Sequence, residues 1–322
     1  MDILLILLQL IVLFVLVMLH VAYATYCERK VIGHIQMRLG PMRVGWHGLL
    51  QPIADGIKSF FKEDIIPVAA DRPIFLAAPI ICLVPAFASL AILPWAEGWA
   101  ITDVNIGLLF VFAMSSIGAY GVVLAGWASN SKYSFLGGLR ASAQVISYEI
   151  AMGLSLVGVM LLSGSLNLGD IVQAQGDGFF GMFIFRQIIG FFVFCVAMLA
   201  ETNRVPFDLP EAETELVSGY STEYSGMRYA LFFMAEYTSM FVMATVGTIC
   251  FLGGWNGPVD LPFFPPFWLL IKVYLIMFVF FWLRATLPRY RYDQLMSLGW
   301  KVLIPLALLN IVLTAIGKAV FG

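Results

Sequence analysis

Glu149, in "SYEIAMG", and Glu236, in "MAEYTSM", are acids set inside long apolar runs, and each has a tyrosine beside it, Tyr148 and Tyr237. Each lies about nine residues from the end of its run, some 13 Å deep at about 1.5 Å per residue. A bare charge at that depth is expensive. Such groups face the interior of a helix bundle and mark ion pathways, or else form a structural ion pair or hydrogen bond. Glu201 closes a third apolar run, so Glu201, Glu149 and Glu236 could form one acidic file leading inward.

The file would start from "NRVPFDLPEAETELVSGYSTEYSG", residues 203–226, where Asp208, Glu211, Glu213, Glu215 and Glu223 stand against Arg204 and no other basic residue. Asp208 with Glu211 three residues on reads as a helix start, a cap with a partner like that of a capping box. Pro210 and Glu211 suit a first turn. This accounts for two or three of the acids and leaves the rest. Carboxylates crowded at a low-dielectric boundary repel one another and resist ionisation, which poises them to trade protons near neutral pH. The alternative is that the stretch docks on a basic partner surface.

A second candidate is "RLGPMRVGWHGLLQPIADGIKSFFKED", residues 38–64. Within 49–63 the apolar positions are 49, 50, 53, 54, 57, 60 and 61, a helical stripe, with Gln51, Asp55, Lys58 and Lys62 on the other face. The piece is too short to span a bilayer and should lie in the interface. It is either a plain surface anchor or the floor of an entry path for an amphiphile. In the second case Asp55 and Lys58 would line that path beside Phe60 and Phe61.

The elements that must position these residues are membrane helices. The chain of 322 residues is 61% hydrophobic and 12% charged, whereas soluble domains carry about a quarter charged residues. The bilayer is therefore the solvent. A net charge of −2 gives no reason to expect nucleic acid. A span needs about 20 apolar residues, and eight are read: 3–27, 73–95, 104–127, 139–163, 182–202, 228–252, 266–288 and 299–320. The expected fold is an all-α polytopic membrane protein, a single transmembrane domain over 1–322 with one interfacial helix. It shows no internal repeat and no soluble domain. "AYA" at 22–24 imitates a signal-peptide cleavage site, but "ERK" follows at once, so the first segment reads as a retained span.

Basic residues set the orientation. Arg29, Lys30, Arg38, Arg43, Lys58, Lys62 and Arg72 fall in 28–72, Lys132 and Arg140 in 128–141, and Arg204 and Arg228 in 201–228. Arg284, Arg289, Arg291 and Lys301 fall in 284–301, while 96–103, 164–181 and 253–265 hold none. These basic loops should face the cytoplasm and both termini the outer side. The acidic stretch then lies on the positive side. Lys272 and Arg186 are the basic residues nearest the membrane interior and serve as possible counter-charges.

Cys27, Cys82, Cys195 and Cys250 are widely separated, without a C-x-x-C pair, and read as small buried hydrophobes. Of His20, His34 and His47, only His20 lies in a span, so a two-histidine haem inside the bilayer is excluded. The chain is expected to carry no redox centre of its own.

"ERKVIGHIQMRLGP", "GLLQPIADGIKSFFKED", "GWASNSKYSFLGGLRASAQVISYE", "PFDLPEAETELVSGYSTEYSG" and "RATLPRYRYDQLMSLGWK" together resemble the H-subunit family of bacterial NADH–quinone oxidoreductase, respiratory complex I. The mitochondrial counterpart is the first membrane-encoded subunit of that complex. The likeness runs over nearly the whole chain. It implies the heel of a proton-pumping membrane arm in the bacterial inner membrane, walling the chamber through which quinone reaches the terminal iron–sulfur cluster. NADH, FMN and the iron–sulfur clusters would belong to partner subunits, and this chain alone would be inactive. Its partners would be the other membrane and peripheral subunits, quinone and the lipid bilayer.

By position, the resemblance places Arg29, Asp55, Lys58 and Tyr220 on the quinone path. Arg284, Arg289 and Arg291 would stand near its mouth, and Glu211, Glu213 and Glu215 would face the lower chamber. Glu201, Glu149 and Glu236, with Asp208 and Glu223, would begin a proton path toward antiporter-like subunits. Two positions depart from the family pattern: Met42 stands where Asn is usual, and Ser116 where some relatives carry a further glutamate. Two rivals share parts of the pattern. One is the equivalent membrane component of a proton-pumping hydrogenase or ferredoxin-linked complex, which the match over "PFDLPEAE" and 49–64 disfavours. The other is a stand-alone ion transporter, which the missing repeat disfavours.

Overall fold

The structure is a computed structural model that describes residues 3–176, 178–209, 216–257 and 266–321. All regular structure among them is helical. Among the described residues seven helices are long and apolar enough to cross a membrane.

Helix α1, Ile3–Ile35, runs past the expected end at 27 and through "ERK". Nothing before Gly33 in that stretch breaks a helix. Its buried stripe is Leu13, Val17, His20, Val21, Ala24 and Glu28, the three-and-four spacing of one helix face. The remaining faces are apolar and exposed, as lipid-facing surface should be. After a short turn at Trp46–Gly48, α2, Gln51–Phe61, begins with Pro52 in its first turn. It buries no residue completely, and Ile53, Ile57, Phe60 and Phe61 project from it. This is the interfacial helix read from the stripe.

Helices α3, Arg72–Ile92, and α4, Gly107–Ala128, pack closely along their length. Gly121 makes the approach possible: a Cβ there would lie 2.8 Å from Cys82 N and 3.0 Å from Ala78 O. Helix α5, Lys132–Ser163, is 32 residues long, about 48 Å at 1.5 Å per residue. It ends on Gly164 in the left-handed region, φ 74°, the usual glycine stop. Short α6, Leu168–Gln173, is capped by the Asn167 side chain, whose Oδ1 accepts from Gly169 N at 2.7 Å.

The stretch 182–202, read as one span, is broken. It forms α7, Phe183–Arg186, and α8, Ile188–Glu201, with Gln187 at φ −128°, ψ 42° between them. At 14 residues α8 is about 21 Å long, shorter than the roughly 30 Å hydrocarbon core. The break carries its own polar partners. Gln187 Nε2 donates to Thr314 Oγ1 at 2.6 Å, and Asn310 Nδ2 donates to Gln187 Oε1 at 2.6 Å.

Helix α9, Gly226–Phe251, is central and the most buried of the long helices. It is followed by α10, Phe267–Thr286, and α11, Tyr292–Leu298. A π turn at Gly299–Leu303 then leads into α12, Ile304–Phe321. Pro305 lacks an N–H and its ring crowds the carbonyl four residues back. A widened turn just before it relieves that clash. The fully buried core includes Tyr148, Tyr237, Phe194, Phe251, Met152 and Leu156, drawn from α5, α8 and α9.

Candidate functional site

The most heavily charged place inside the bundle is built around Glu28 and Arg204. The stripe of α1 carries Glu28 inward until it is 3% exposed. Arg204, 5% exposed, enters from the loop after α8. Its Nη1 lies 3.2 Å from Glu28 Oε1 and its Nε 2.8 Å from Glu236 Oε1. Arg284, from α10, also pairs with Glu28. Tyr237 Oη donates to Glu28 Oε2 at 2.6 Å, and the Arg204 guanidinium lies over the Tyr237 ring at 4.4 Å. Burial works against the Arg204 charge. Glu236, Tyr237 and Glu28 outweigh it and hold the pKa well above the ordinary arginine value.

The loop that delivers Arg204 is tied down on both sides. Gln144 Nε2 donates to Ala200 O at 2.6 Å and to Phe207 O at 2.9 Å. Phe207 stacks on Tyr290, whose N–H bonds Pro206 O at 3.0 Å. Asp208 follows and pairs with Arg289 at 3.0 Å. Burial raises the Asp208 carboxyl above its usual range, against the pull of Arg289, Arg284 and Arg204. Asp208 Oδ1 and Arg204 Nη2 are buried without a hydrogen-bond partner. Both residues line a void of ≈ 20 Å³ with Asn203, Glu236 and Arg284, room for about one water.

A second group lies across α4. Ser115 Oγ donates to Glu201 Oε1 at 2.5 Å, and Ser116 Oγ donates to Glu149 Oε1 at 2.7 Å. Successive serines on one helix thus hold carboxylates from two others, near enough for their charges to interact. Among the described residues no ion pair reaches either carboxylate. Glu201 and Glu236 line one cavity of ≈ 90 Å³ with Ser115, Asn203, Tyr220 and Ser239. That volume has room for several waters, and Glu201 Oε2, itself buried, is without a partner.

The third place is an open cleft of ≈ 420 Å³ where α2 faces the start of α9. Arg29, Asp55 and Lys58 meet there with Lys62, Tyr224 and Tyr229. Arg29 Nη1 bonds Asp55 Oδ2 at 2.6 Å, and Gln51 Nε2 bonds Asp55 Oδ1 at 2.9 Å. Burial pushes the Tyr224 hydroxyl up from its usual value.

Tyr220 is not in this cleft. It is 7% exposed, packed edge-on against Phe232, and faces the internal cavity with Glu201. Arg291 pairs at the surface with Asp293 at 3.3 Å. Glu223 is half-buried beside Tyr224. Glu211, Glu213 and Glu215 lie outside the described residues.

Neither possible counter-charge meets a carboxylate among the described residues. Lys272 Nζ donates to Leu252 O at 2.6 Å, Gly254 O at 3.0 Å and Asn256 O at 2.6 Å, closing the C-terminus of α9. Arg186 is exposed at the end of α7. Met42, where the family pattern has Asn, takes the Lys30 ammonium on its sulfur at 2.8 Å.

Sequence reasoning missed Glu28, Ser115 and the central part of Arg204. Glu28 carried a signal: it continues the buried spacing 17, 21, 24. Ser115 carried none beyond its place in an apolar run, while Ser116 was marked only as a position where some relatives carry a glutamate.

The chain matches a family model described as NADH dehydrogenase over residues 8–315. It is 57% identical to an NADH-quinone oxidoreductase H subunit of Geobacter metallireducens, covering 96% of this chain and 94% of that protein. It is 57% identical to an NADH-quinone oxidoreductase H subunit of Geobacter sulfurreducens, over 96% of this chain and 93% of the relative. Identity to the NADH-quinone oxidoreductase H subunit of Rhodospirillum rubrum is 55%, over 92% and 88%.

Proposed function

From the premise that the chain belongs to the NADH dehydrogenase family, as an H subunit of NADH-quinone oxidoreductase, we propose that it walls the quinone chamber and passes the consequence of quinone reduction to buried carboxylates. It is a membrane subunit of an oxidoreductase complex. In this reading NADH, FMN and the iron–sulfur clusters sit in partner subunits, and the chain does no chemistry alone. It forms one domain in the bacterial inner membrane. The broken segment of α7 and α8 counts as the eighth crossing, the basic loops face the cytoplasm and both termini face outward.

The quinone head is met from the cleft of Arg29, Asp55 and Lys58. The arginines 284, 289 and 291 stand near the mouth. Reduction and protonation of the head change the charge in a poorly solvated space. Felt over about 10 Å at an effective dielectric near 20, one unit of charge is worth about 1.7 kcal/mol, more than a tenfold change in a protonation equilibrium. The carboxylates of 201–223 answer first, Asp208 and Glu223 among them. Glu201, Glu149 and Glu236 then carry the change inward and bias proton uptake farther along the arm.

The observation that carries the reading is the pair Glu149 and Glu201. They are held by hydroxyls rather than cations, and Glu201 shares with Glu236 a cavity with room for several waters. Acids without a bound counter-charge are free to change protonation state. The test is Glu149→Gln and Glu236→Gln in the assembled complex, with protons moved per NADH oxidised measured in sealed vesicles. Loss of pumping in either variant is expected. Unchanged pumping in both would refute the role.

A further inference from the structure

Ser116 Oγ faces two acceptors at once. It lies 2.7 Å from Glu149 Oε1, on α5, and 3.2 Å from Phe112 O, one turn back on its own α4 helix. A serine hydroxyl has one proton to give and two lone pairs to receive with. It can therefore satisfy only one of those acceptors at a time, and rotation about the Cβ–Oγ bond decides which.

The two choices correspond to the two states of the carboxyl. With Glu149 ionised, Ser116 donates its proton to Oε1, a charge-assisted hydrogen bond. With Glu149 protonated, the new carboxyl O–H points at Ser116 Oγ, which accepts it. The serine proton then turns to Phe112 O, the back-bond that serine commonly makes in helices. The arriving proton stays on Glu149 and the hydroxyl proton stays on Ser116. No heavy atom has to move, and in both states Ser116 Oγ and Glu149 Oε1 keep a hydrogen bond to each other.

We propose that Ser116 is a positioning residue for proton exchange at Glu149, swinging its one hydroxyl proton between the carboxylate and the Phe112 carbonyl as Glu149 charges and discharges. This rests on the reading of Glu149 as a group that changes protonation during turnover. Without the hydroxyl both states would lose that partner, the charged state at the greater cost, which biases the exchange. That bias is the penalty for leaving a buried polar group unsatisfied.

The experiment is infrared difference spectroscopy on the purified, assembled complex, before and after reduction by NADH. The Glu149 carboxyl band is identified by its loss in Glu149→Gln. In Ser116→Ala the band should move to higher frequency, as a carboxyl freed of a hydrogen bond does. Quinone reduction coupled to proton movement should slow roughly tenfold, the size expected for one hydrogen bond to a charged group. Ser116→Thr keeps a hydroxyl and the back-bond and should restore both band and rate. If the alanine variant does not assemble, Ser116→Cys, a weaker donor of similar shape, should shift the band in the same direction. A Glu149 band that is unmoved in Ser116→Ala or Ser116→Cys overturns this proposal and leaves the proton-path reading intact. Absence of any Glu149 band in the parent complex overturns both.

Discussion

Two sets of acids inside the same bundle are held in opposite ways. Glu28 and Glu236 are pinned by Arg204, with Arg284 and Tyr237 added to Glu28. Glu149 and Glu201 are held by Ser116 and Ser115. A guanidinium in a dry site fixes a carboxylate in its charged form, because protonating it would strand the cation. A hydroxyl commits to neither form, since it can donate to one and accept from the other. The first set is therefore architecture as much as chemistry, joining α1, α9, α10 and the loop after α8. The second set is where a small change in nearby charge can be answered by a proton. Glu236 belongs to both, because it pairs with Arg204 and also borders the cavity of Glu201.

The sharpest way to break this distinction is to remove the shared cation. Arg204→Gln leaves Glu28 and Glu236 without their common partner and should cost about 3–5 kcal/mol, as loss of one member of a buried pair does. The check is the thermal midpoint of the complex and the amount of the chain retained in it. An unchanged midpoint would show that the pinned set is not structural.

The same chemical change made in each set sharpens the comparison further. Glu28→Gln should destabilise by about 3 kcal/mol or more, since it takes the carboxylate from Arg284 and leaves Arg204 to Glu236 alone. Glu149→Gln keeps an acceptor for Ser116 and strands no cation, so its cost should be about 1 kcal/mol. Equal losses, read by denaturation of matched preparations, would erase the difference between the sets. In a double-mutant cycle, Glu28→Gln with Arg204→Gln should cost less than the two single changes added together, by about 0.5–3 kcal/mol. Strict additivity would mean the contact is not energetically coupled.

The smallest effect is expected in the open cleft. Arg29 and Asp55 form an ion pair whose side chains are 49% and 38% exposed. Arg29→Gln should change stability by about 0–1 kcal/mol, and by less at high salt. Its effect, if the cleft serves quinone, belongs in the quinone dependence of turnover. A large loss of stability would move this pair into the pinned class.

Much of this was legible in the sequence where the rule is local. The α2 stripe at 49–63 predicted Gln51–Phe61, because amphipathic spacing depends only on residues one turn apart. The long apolar runs predicted the long helices within a few residues, apart from early or late ends in α1 and α5. The break at Gln187 was not legible. Apolar length alone says span, and the interruption depends on Asn310 and Thr314, more than a hundred residues away. Lys272 was misjudged for a related reason. A lone cation in a greasy helix suggests a carboxylate partner, but its ammonium meets the end of α9 and takes three carbonyls instead.

The sequence by itself determined that the chain lives in a bilayer, which runs are helices and which acids are too deep to be ordinary. Those follow from the cost of exposing apolar surface to water and of placing charge in hydrocarbon, both of which act residue by residue. Only the tertiary structure decided which acids meet arginine and which meet serine. Glu28 finds Arg204 across 176 positions and Glu149 finds Ser116 across 33. Such pairings depend on how helices cross, and crossing is set by packing over the whole bundle, not by any stretch that can be read alone.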